Sequence, residues 1–392
     1  MAVVELQKVD IVFGDRTKAA LALLDGGATR EEVIAKTAAV PGAIGINLAI
    51  ERGQICVLMG LSGSGKSTVL RAINRLNTIA RGAVFVEHQG ERVDVSTCSE
   101  AKLRDIRMRT VSMVFQQFAL LPWRTVRENV GLGLELRGMA APERKKIVDE
   151  KLALVGLSNW AEKFSHELSG GMQQRVGLAR AFATDAEILL MDEPFSALDP
   201  LIRDKLQDEL LDLQRKLKKT IVFVSHDLDE ALKLGNSIAI LESGRIVQKG
   251  TAEDILLRPA DAYVAEFVKH MNPLNVLRGN SVMTPASALR REGGAIVIDT
   301  GGIRVHTDAE DRPVRVTLNG REGRIATTDA DTGAVTGDGY DMIVAPVDLT
   351  LRAAIALKQQ TDHPILLVDQ LGRLAGLCGN EEIYRGLLRK QS

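Results

Sequence analysis

Residues Gly60-Leu61-Ser62-Gly63-Ser64-Gly65-Lys66-Ser67-Thr68 follow the order G-x-x-x-x-G-K-[ST] directly after the apolar run Ile55–Met59. The glycines of such a loop let backbone N–H groups converge on phosphate oxygens, and the helix that follows adds partial positive charge. Lys66 supplies a point charge for β- and γ-phosphates, and the Ser67 hydroxyl suits Mg²⁺. Downstream, Ile188-Leu189-Leu190-Met191 runs into Asp192 and Glu193. Asp192 can hold Mg²⁺, usually through water, and Glu193 can orient or deprotonate an attacking water. Taken alone, such an acidic pair also fits a solvated turn. His226 closes a third apolar run, Ile221–Val224, where it can contact a γ-phosphate. Leu168-Ser169-Gly170-Gly171-Met172 opens another helix with Ser169 as N-cap, a second place suited to an anion. One chain has no second triphosphate to offer it, so the pattern suggests two chains sharing each nucleotide.

These groups need a scaffold that brings the ends of several strands to one edge. Ile55–Met59, Val111–Phe115, Ile188–Met191 and Ile221–Val224 are nearly all apolar rather than alternating, which predicts a parallel sheet covered on both faces. Ile238–Leu241 and Ile246–Val247 flank a Glu242–Arg245 turn, as a terminal hairpin would. Val148, Leu152 and Val155 fall on one helical face, within a helical subdomain expected at about 117–166. Residues 16–42 form an insertion in which Thr29-Arg30-Glu31-Glu32 spells a capping box. The nucleotide-binding domain is expected to span 1–260. A linker at 261–275 follows, with a helix from Asp261 to Met271 ended by Asn272-Pro273. A smaller α/β unit fills 276–392. It is punctuated by Gly293, Gly294, Gly301, Gly302, Gly320, Gly323, Gly333, Gly337 and Gly339. Near its end come a helix (Leu349–Gln359), a strand (Ile365–Val368) and a last helix (Glu381–Lys390).

Length and composition agree with this division. At 392 residues the chain exceeds one typical domain, and 45% hydrophobic with 26% charged residues excludes wholesale disorder. A net charge of −1 argues against a general electrostatic grip on nucleic acid. Cys56, Cys98 and Cys378 share no metal-ligand spacing and read as reduced thiols. The first ten residues do not resemble a signal peptide, and no apolar run approaches a membrane span. A soluble, intracellular, multidomain protein is expected.

The set Gly60–Thr68, Gln116, Leu168–Met172, Ile188–Glu193, Ser196-Ala197-Leu198-Asp199 and His226 resembles the nucleotide-binding subunit of ATP-binding-cassette (ABC) transporters, over roughly residues 1–260. The resemblance implies an α/β P-loop cassette with a helical subdomain, working as an ATPase that uses ATP and Mg²⁺. It implies that Gln116 is a Mg²⁺ ligand and senses the reaction state, and that Phe13 stacks on adenine. The segment Leu168–Met172 would contact the partner protomer's ATP, and Ser196 and Asp199 would lie in a loop crossing the dimer. The partners implied are a second copy of the chain, two integral-membrane permease subunits and, indirectly, an external solute-binding protein; nucleic acid is not among them. The location implied is peripheral, at the cytoplasmic face of the bacterial inner membrane. Phe118, Leu120, Leu121 and Trp123, beyond Gln116, could line a groove for a permease helix.

The insertion at 16–42, with Phe195–Arg203 and Leu228-Asp229-Glu230-Ala231, looks like the branch serving importers of glycine betaine, proline betaine, choline and related quaternary amines. An ABC importer for another small solute, or a soluble non-transport ABC ATPase, remains the alternative. A small-molecule kinase would leave Leu168–Met172 unexplained. Val282-Met283-Thr284-Pro285 and Pro364–Asp369 resemble a degenerate pair of cystathionine-β-synthase (CBS) modules, about 276–341 and 342–390. Such a unit implies dimerisation or regulation, and the basic tail Arg385, Arg389 and Lys390 could meet anionic lipid.

Overall fold

The apolar runs form strands because both of their faces are covered. In a computed structural model, residues 2–117, 119–269, 272–298, 302–328, 335–336 and 339–388 are described, the side chains of Leu213 and Asn275 excepted. Phe118, Met271, Gly301, Gly333, Gly337, Arg389 and Lys390 lie outside the described residues. The chain divides into two units, Met1–Ala252 and Glu253–Ser392, so the boundary precedes the expected residue 260.

The first unit contains β1 (Ala2–Phe13), α1 (Thr17–Asp25), α2 (Arg30–Thr37), β2 (Val40–Glu51), β3 (Ile55–Met59), α3 (Lys66–Ala72), β4 (Arg81–His88), β5 (Glu91–Asp94), α4 (Glu100–Arg109) and β6 (Val111–Val114). It continues with α5 (Val126–Leu136), α6 (Ala141–Leu154), α7 (Gly170–Ala183), β7 (Ile188–Asp192), α8 (Pro200–Leu217), β8 (Thr220–Val224), α9 (Leu228–Leu234), β9 (Ser237–Glu242) and β10 (Arg245–Gly250). Two sheets result. One has the order β10-β9-β3-β8-β7-β6, and the other β2-β1-β4-β5. In the first, β9, β3, β8, β7 and β6 run parallel, and β10 adds the expected antiparallel edge.

Every residue of β3, β7 and β8 is buried, whereas β2 alternates along much of its length, as a strand with one covered face does. Leu58, Leu190 and Val222 of the parallel sheet share one core with Leu6, Ile46 and Val84 of the antiparallel sheet and with Val69, Leu70 and Ile73 beside α3. The insertion has a small core of its own. Ala20, Leu24 and Val33 pack with Ala39 and Ile44, and Thr29 caps α2 with the reciprocal bonds its sequence spells. In α6 the predicted face is real: Val148 and Leu152 are buried, as is Val155 just beyond the last turn.

The second unit differs from a simple tandem. Residues 342–387 run strand, helix, strand, strand, helix: Met342–Pro346, Leu351–Lys358, Ile365–Val368, Leu374–Cys378 and Asn380–Leu387. The stretch expected to repeat this order instead has, after one short α-helix at Gly279–Val282 and one 3-10 turn at Ala286–Ala288, a five-stranded antiparallel meander from Arg290 to Gly323. The reason is legible in the residues. Ile296 and Ile298, Ile303 and Val305, and Val316 and Leu318 alternate buried positions at the strand period. Gly294 and Gly320, at φ +80° and +83°, make the turns. Asn272-Pro273 also departs from expectation. The preceding helix spans only Ala262–Phe267, and Asn272 caps a new short helix, Pro273–Val276, by accepting from the Leu274 N–H. Arg385 faces Glu381 and Glu382 of its own helix, at 3.7 and 4.0 Å.

Leu190→Ala should destabilise the first unit by about 2–5 kcal/mol, because the leucine is fully buried between sheet and helices. Both tryptophans, Trp123 and Trp160, lie in that unit, so intrinsic fluorescence during urea unfolding reads its stability directly. A midpoint equal to wild type would show that this strand does not carry the core.

Candidate active site

The loop after β3 keeps its shape because side chains are excluded from it. Gly60 and Gly65 sit at φ +142° and +101°. A methyl group would come 2.2 Å from the Leu241 carbonyl oxygen at the first and 2.3 Å from that of Gly42 at the second. The chain therefore closes tightly around Lys66, the first residue of α3. The Lys66 ammonium donates to the carbonyls of Gly60 and Leu61, at 2.9 Å each. Burial pushes its pKa below the ordinary lysine value, against the opposing pull of Glu193 and Asp192. The Ser64 hydroxyl is buried without a partner among the described residues.

Asp192 ends β7 and is fully buried. Ser67 Oγ donates to its Oδ1 at 2.7 Å, and Arg71 Nη2 to its Oδ2 at 2.8 Å. Arg71 escaped the sequence reading, although Ser67 and Arg71 are four apart on one helix and so share a face. Glu193 follows in the left-handed region, at φ +47°, an unfavourable place for a side chain. Its carboxylate accepts from Gln116 Nε2 at 3.0 Å and lies 3.5 Å from His226 Nδ1.

The strained turn is fixed from behind by Gln174 of α7, a second residue the sequence reading missed. Its amide donates to the Glu193 carbonyl and accepts from the Ala197 N–H, at 3.0 Å each. Ser196 Oγ donates to the same carbonyl. Phe195 anchors the turn on β8, edge-on to Phe223 with centroids 6.2 Å apart. Behind His226, Ser225 and Gln207 both donate to Glu230, whose carboxyl burial pushes above its ordinary value.

A cleft of about 530 Å³ joins these groups. Ser62, Gly63, Gly65, Lys66, Ser67 and Thr68 line it, with Gln116, Glu193 and His226 as one cluster and Phe13, Val40, Gly42 and Arg30 as another. Phe13 is 44% exposed, so it is not a core residue. A methyl at Gly42 would meet Phe13 Cε2 at 2.5 Å and Thr68 Cγ2 at 3.0 Å, so the ring rests against bare backbone beside the loop. Gly60, Leu61 and Ser64 shape the loop without lining the cleft, and Asp192 bonds to Ser67 without lining it.

The segment Leu168–Met172 lines no part of this cleft. Leu168 is buried, Ser169 caps α7 through the Met172 N–H, and Ser169 and Gly170 are exposed. Gly171 sits close to the Ala197 carbonyl, and Asp199 caps α8 through the Ile202 N–H. A larger open groove of about 1080 Å³ runs along β1, β2 and β4, where Arg81 pairs with Asp10 and Asp25 and Lys249 donates to the Ala49 carbonyl. Among the described residues no cluster of three or more His, Cys, Asp or Glu side chains is arranged to hold a metal.

Comparison with known proteins agrees with this geometry. The profile of the family described as "ABC transporter" matches residues 44–196. The glycine betaine/proline betaine transport system ATP-binding protein ProV of Escherichia coli (strain K12) is 38% identical over 98% of this chain and 98% of its own. The glycine betaine transport ATP-binding protein OpuAA of Bacillus subtilis (strain 168) is 39% identical over 98% of this chain and 91% of its own. A dimeric ATP-binding cassette solved in a post-hydrolysis state with ADP and Pi superposes with a TM-score of 0.55 at 31% identity, over 63% of this chain and 97% of that one. This chain belongs to the ATP-binding proteins of ABC transporters, in the branch that contains the glycine betaine, proline betaine and choline systems.

Proposed function

We propose that the protein is the ATPase motor of an importer for a quaternary amine such as glycine betaine, proline betaine or choline. The observation that carries the ATPase reading is the convergence of Lys66, Ser67, Gln116, Glu193 and His226 on one cleft whose far cluster presents an exposed aromatic ring. The solute class rests on full-length similarity to transport ATP-binding proteins for those compounds.

Phe13 would stack on adenine. Backbone N–H groups of Ser62–Ser67 and the Lys66 ammonium would receive the phosphates. Glu193, held by Gln116 and facing His226, takes the proton of the water that attacks the γ-phosphate. His226 then contacts the phosphate being released. Ser67, Gln116 and Asp192 offer a hydroxyl, an amide and a carboxylate oxygen, a hard donor set that suits Mg²⁺ completed by water and phosphate. The ion would neutralise charge on the β- and γ-phosphate oxygens.

Two copies are required, because the exposed helix start at Ser169 and Gly170 lies outside its own chain's cleft. In a two-fold sandwich, Leu168–Met172 of each protomer meets the triphosphate held by the other, and Ser196 and Asp199 lie at the crossing. Closure and reopening of that sandwich would move two membrane permease subunits between access states. Trp123 is 71% exposed in the helical subdomain, with Leu120 and Leu121 partly exposed nearby, a surface fit for a permease helix. Among the described residues no helix is long and apolar enough to cross a membrane, consistent with a peripheral subunit docked on its permeases at the cytoplasmic face. The second unit would serve regulation by ionic strength, with residues 342–387 as its module-like half.

Glu193→Gln should retain ATP affinity while turnover falls about 10²–10⁴-fold, as loss of a general base does; equilibrium binding and phosphate release measure the two, and wild-type turnover would remove Glu193 from that role. Specific ATPase activity should fall as the protein is diluted, and Gly170→Trp should abolish it while each single chain still binds ATP. Activity independent of concentration would rule out the shared site. In proteoliposomes, removal of 276–392 should flatten the dependence of uptake on internal salt; an unaltered salt curve would end the regulatory reading.

A further inference from the structure

Arg30 is the one cleft-lining residue contributed by the insertion helices α1 and α2, and the phosphate chemistry does not use it. It is the first residue of α2, where the helix dipole favours anions; Glu31 and Glu32 fill that role, and a cation there works against the helix. Its Nε donates to the Pro41 carbonyl at 2.9 Å. Pro41 and Val40 of β2 pair with Val12 and Phe13 of β1, and Arg30 and the exposed Phe13 ring line the same cleft. Among the described residues, its two terminal nitrogens have no hydrogen-bond partner. The support beneath it is firm: the Thr29–Glu32 capping box pins the helix start, and the insertion core holds Val33. A side chain this well anchored, with its remaining donors turned to a cleft, is built for a ligand rather than for the helix.

We propose that Arg30 binds the nucleoside half of the nucleotide, donating to acceptors on the base or ribose beside Phe13, so that the insertion is part of the ATP site. This rests on reading the cleft as that site, with phosphates at Lys66. The fork of donors left after the Pro41 bond suits ring nitrogens and ribose oxygens, and the guanidinium plane can also lie on a π-face.

The test compares three ligands, ATP, ADP and inorganic tripolyphosphate, by calorimetry on the full chain. Arg30→Ala should weaken ATP and ADP by the same factor, about tenfold, as expected for loss of a charge-assisted contact. Tripolyphosphate, which has no nucleoside, should bind as it does to wild type, and this also shows that the loop remains folded. Arg30→Lys, which cannot reproduce the fork, should recover only part of the loss. Unchanged ATP affinity in Arg30→Ala, or an equal loss for tripolyphosphate, overturns the inference. Lys66→Ala should weaken ATP and tripolyphosphate alike; if it weakens neither, the phosphate site itself is misplaced and the assignment of Arg30 falls with it.

Discussion

A fully buried carboxylate is tolerated only when its oxygens are bonded, and among the described residues Ser67 and Arg71 meet that condition for Asp192. This pair of bonds ties the end of β7 to the first and second turns of α3 across the intervening strand β8. Because β3, β8 and β7 run parallel, their C-terminal ends lie on one edge, and residues distant in sequence are delivered to one place. Lys66, Glu193 and His226 each stand just beyond one of those ends. The lock at Asp192 sets the spacing between the phosphate loop and the acidic turn, and the rest of the cleft is arranged around that spacing.

The acidic turn is held under strain, and the source of the restraint matters. Glu193 keeps a left-handed backbone because Gln174, from the second turn of α7, grips its carbonyl and the Ala197 N–H together. The same helix begins at Ser169 and Gly170, and Gly171 sits against the Ala197 carbonyl. A displacement of the start of α7 is therefore transmitted through a rigid helix to the backbone that aims Glu193. One element joins the surface that would face a second protomer to the carboxylate that would activate water. Two contacts, at Gly171 and Gln174, do the joining.

What the sequence made legible follows from where the physics is local. The all-apolar runs at Ile55–Met59 and Ile188–Met191 identify buried strands, since a strand with both faces covered leaves no room for alternation. The phosphate loop is readable because its glycines satisfy a backbone requirement that other residues fail. Gln174 and Arg30 stayed hidden because their roles depend on chain segments far away in sequence, the turn after β7 and the hairpin of β1 with β2. The meander at 290–323 falls within the stretch where the resemblance implies one half of a repeated module. Its glycine spacing marks the turns, and the alternation of Ile296, Ile298, Ile303 and Val305, short in each strand, builds a separate sheet only once the strands pair.

The cleft lies at the seam between the two sheets of the first unit. The parallel sheet brings charge: Lys66, the buried Asp192, Glu193 and His226. The antiparallel sheet brings shape, through Phe13 at the end of β1 and Val40 and Gly42 at the start of β2. Gly42 is where the antiparallel sheet meets the phosphate loop within this cleft, with one face under the Phe13 ring and its carbonyl against the backbone of Gly65. A side chain at Gly42 would displace the Phe13 ring and press on Thr68, and one at Gly65 would push the loop off the Gly42 carbonyl, so either would disturb the spacing between the aromatic end of the cleft and the phosphate loop. The distance between those two ends is thus set by backbone contact rather than by side-chain packing, and backbone contact is the less compressible of the two. On the proposed reading, a cleft made this way would favour ligands of one length, a planar group at Phe13 joined to an anion at Lys66, as adenine is joined to its outer phosphates.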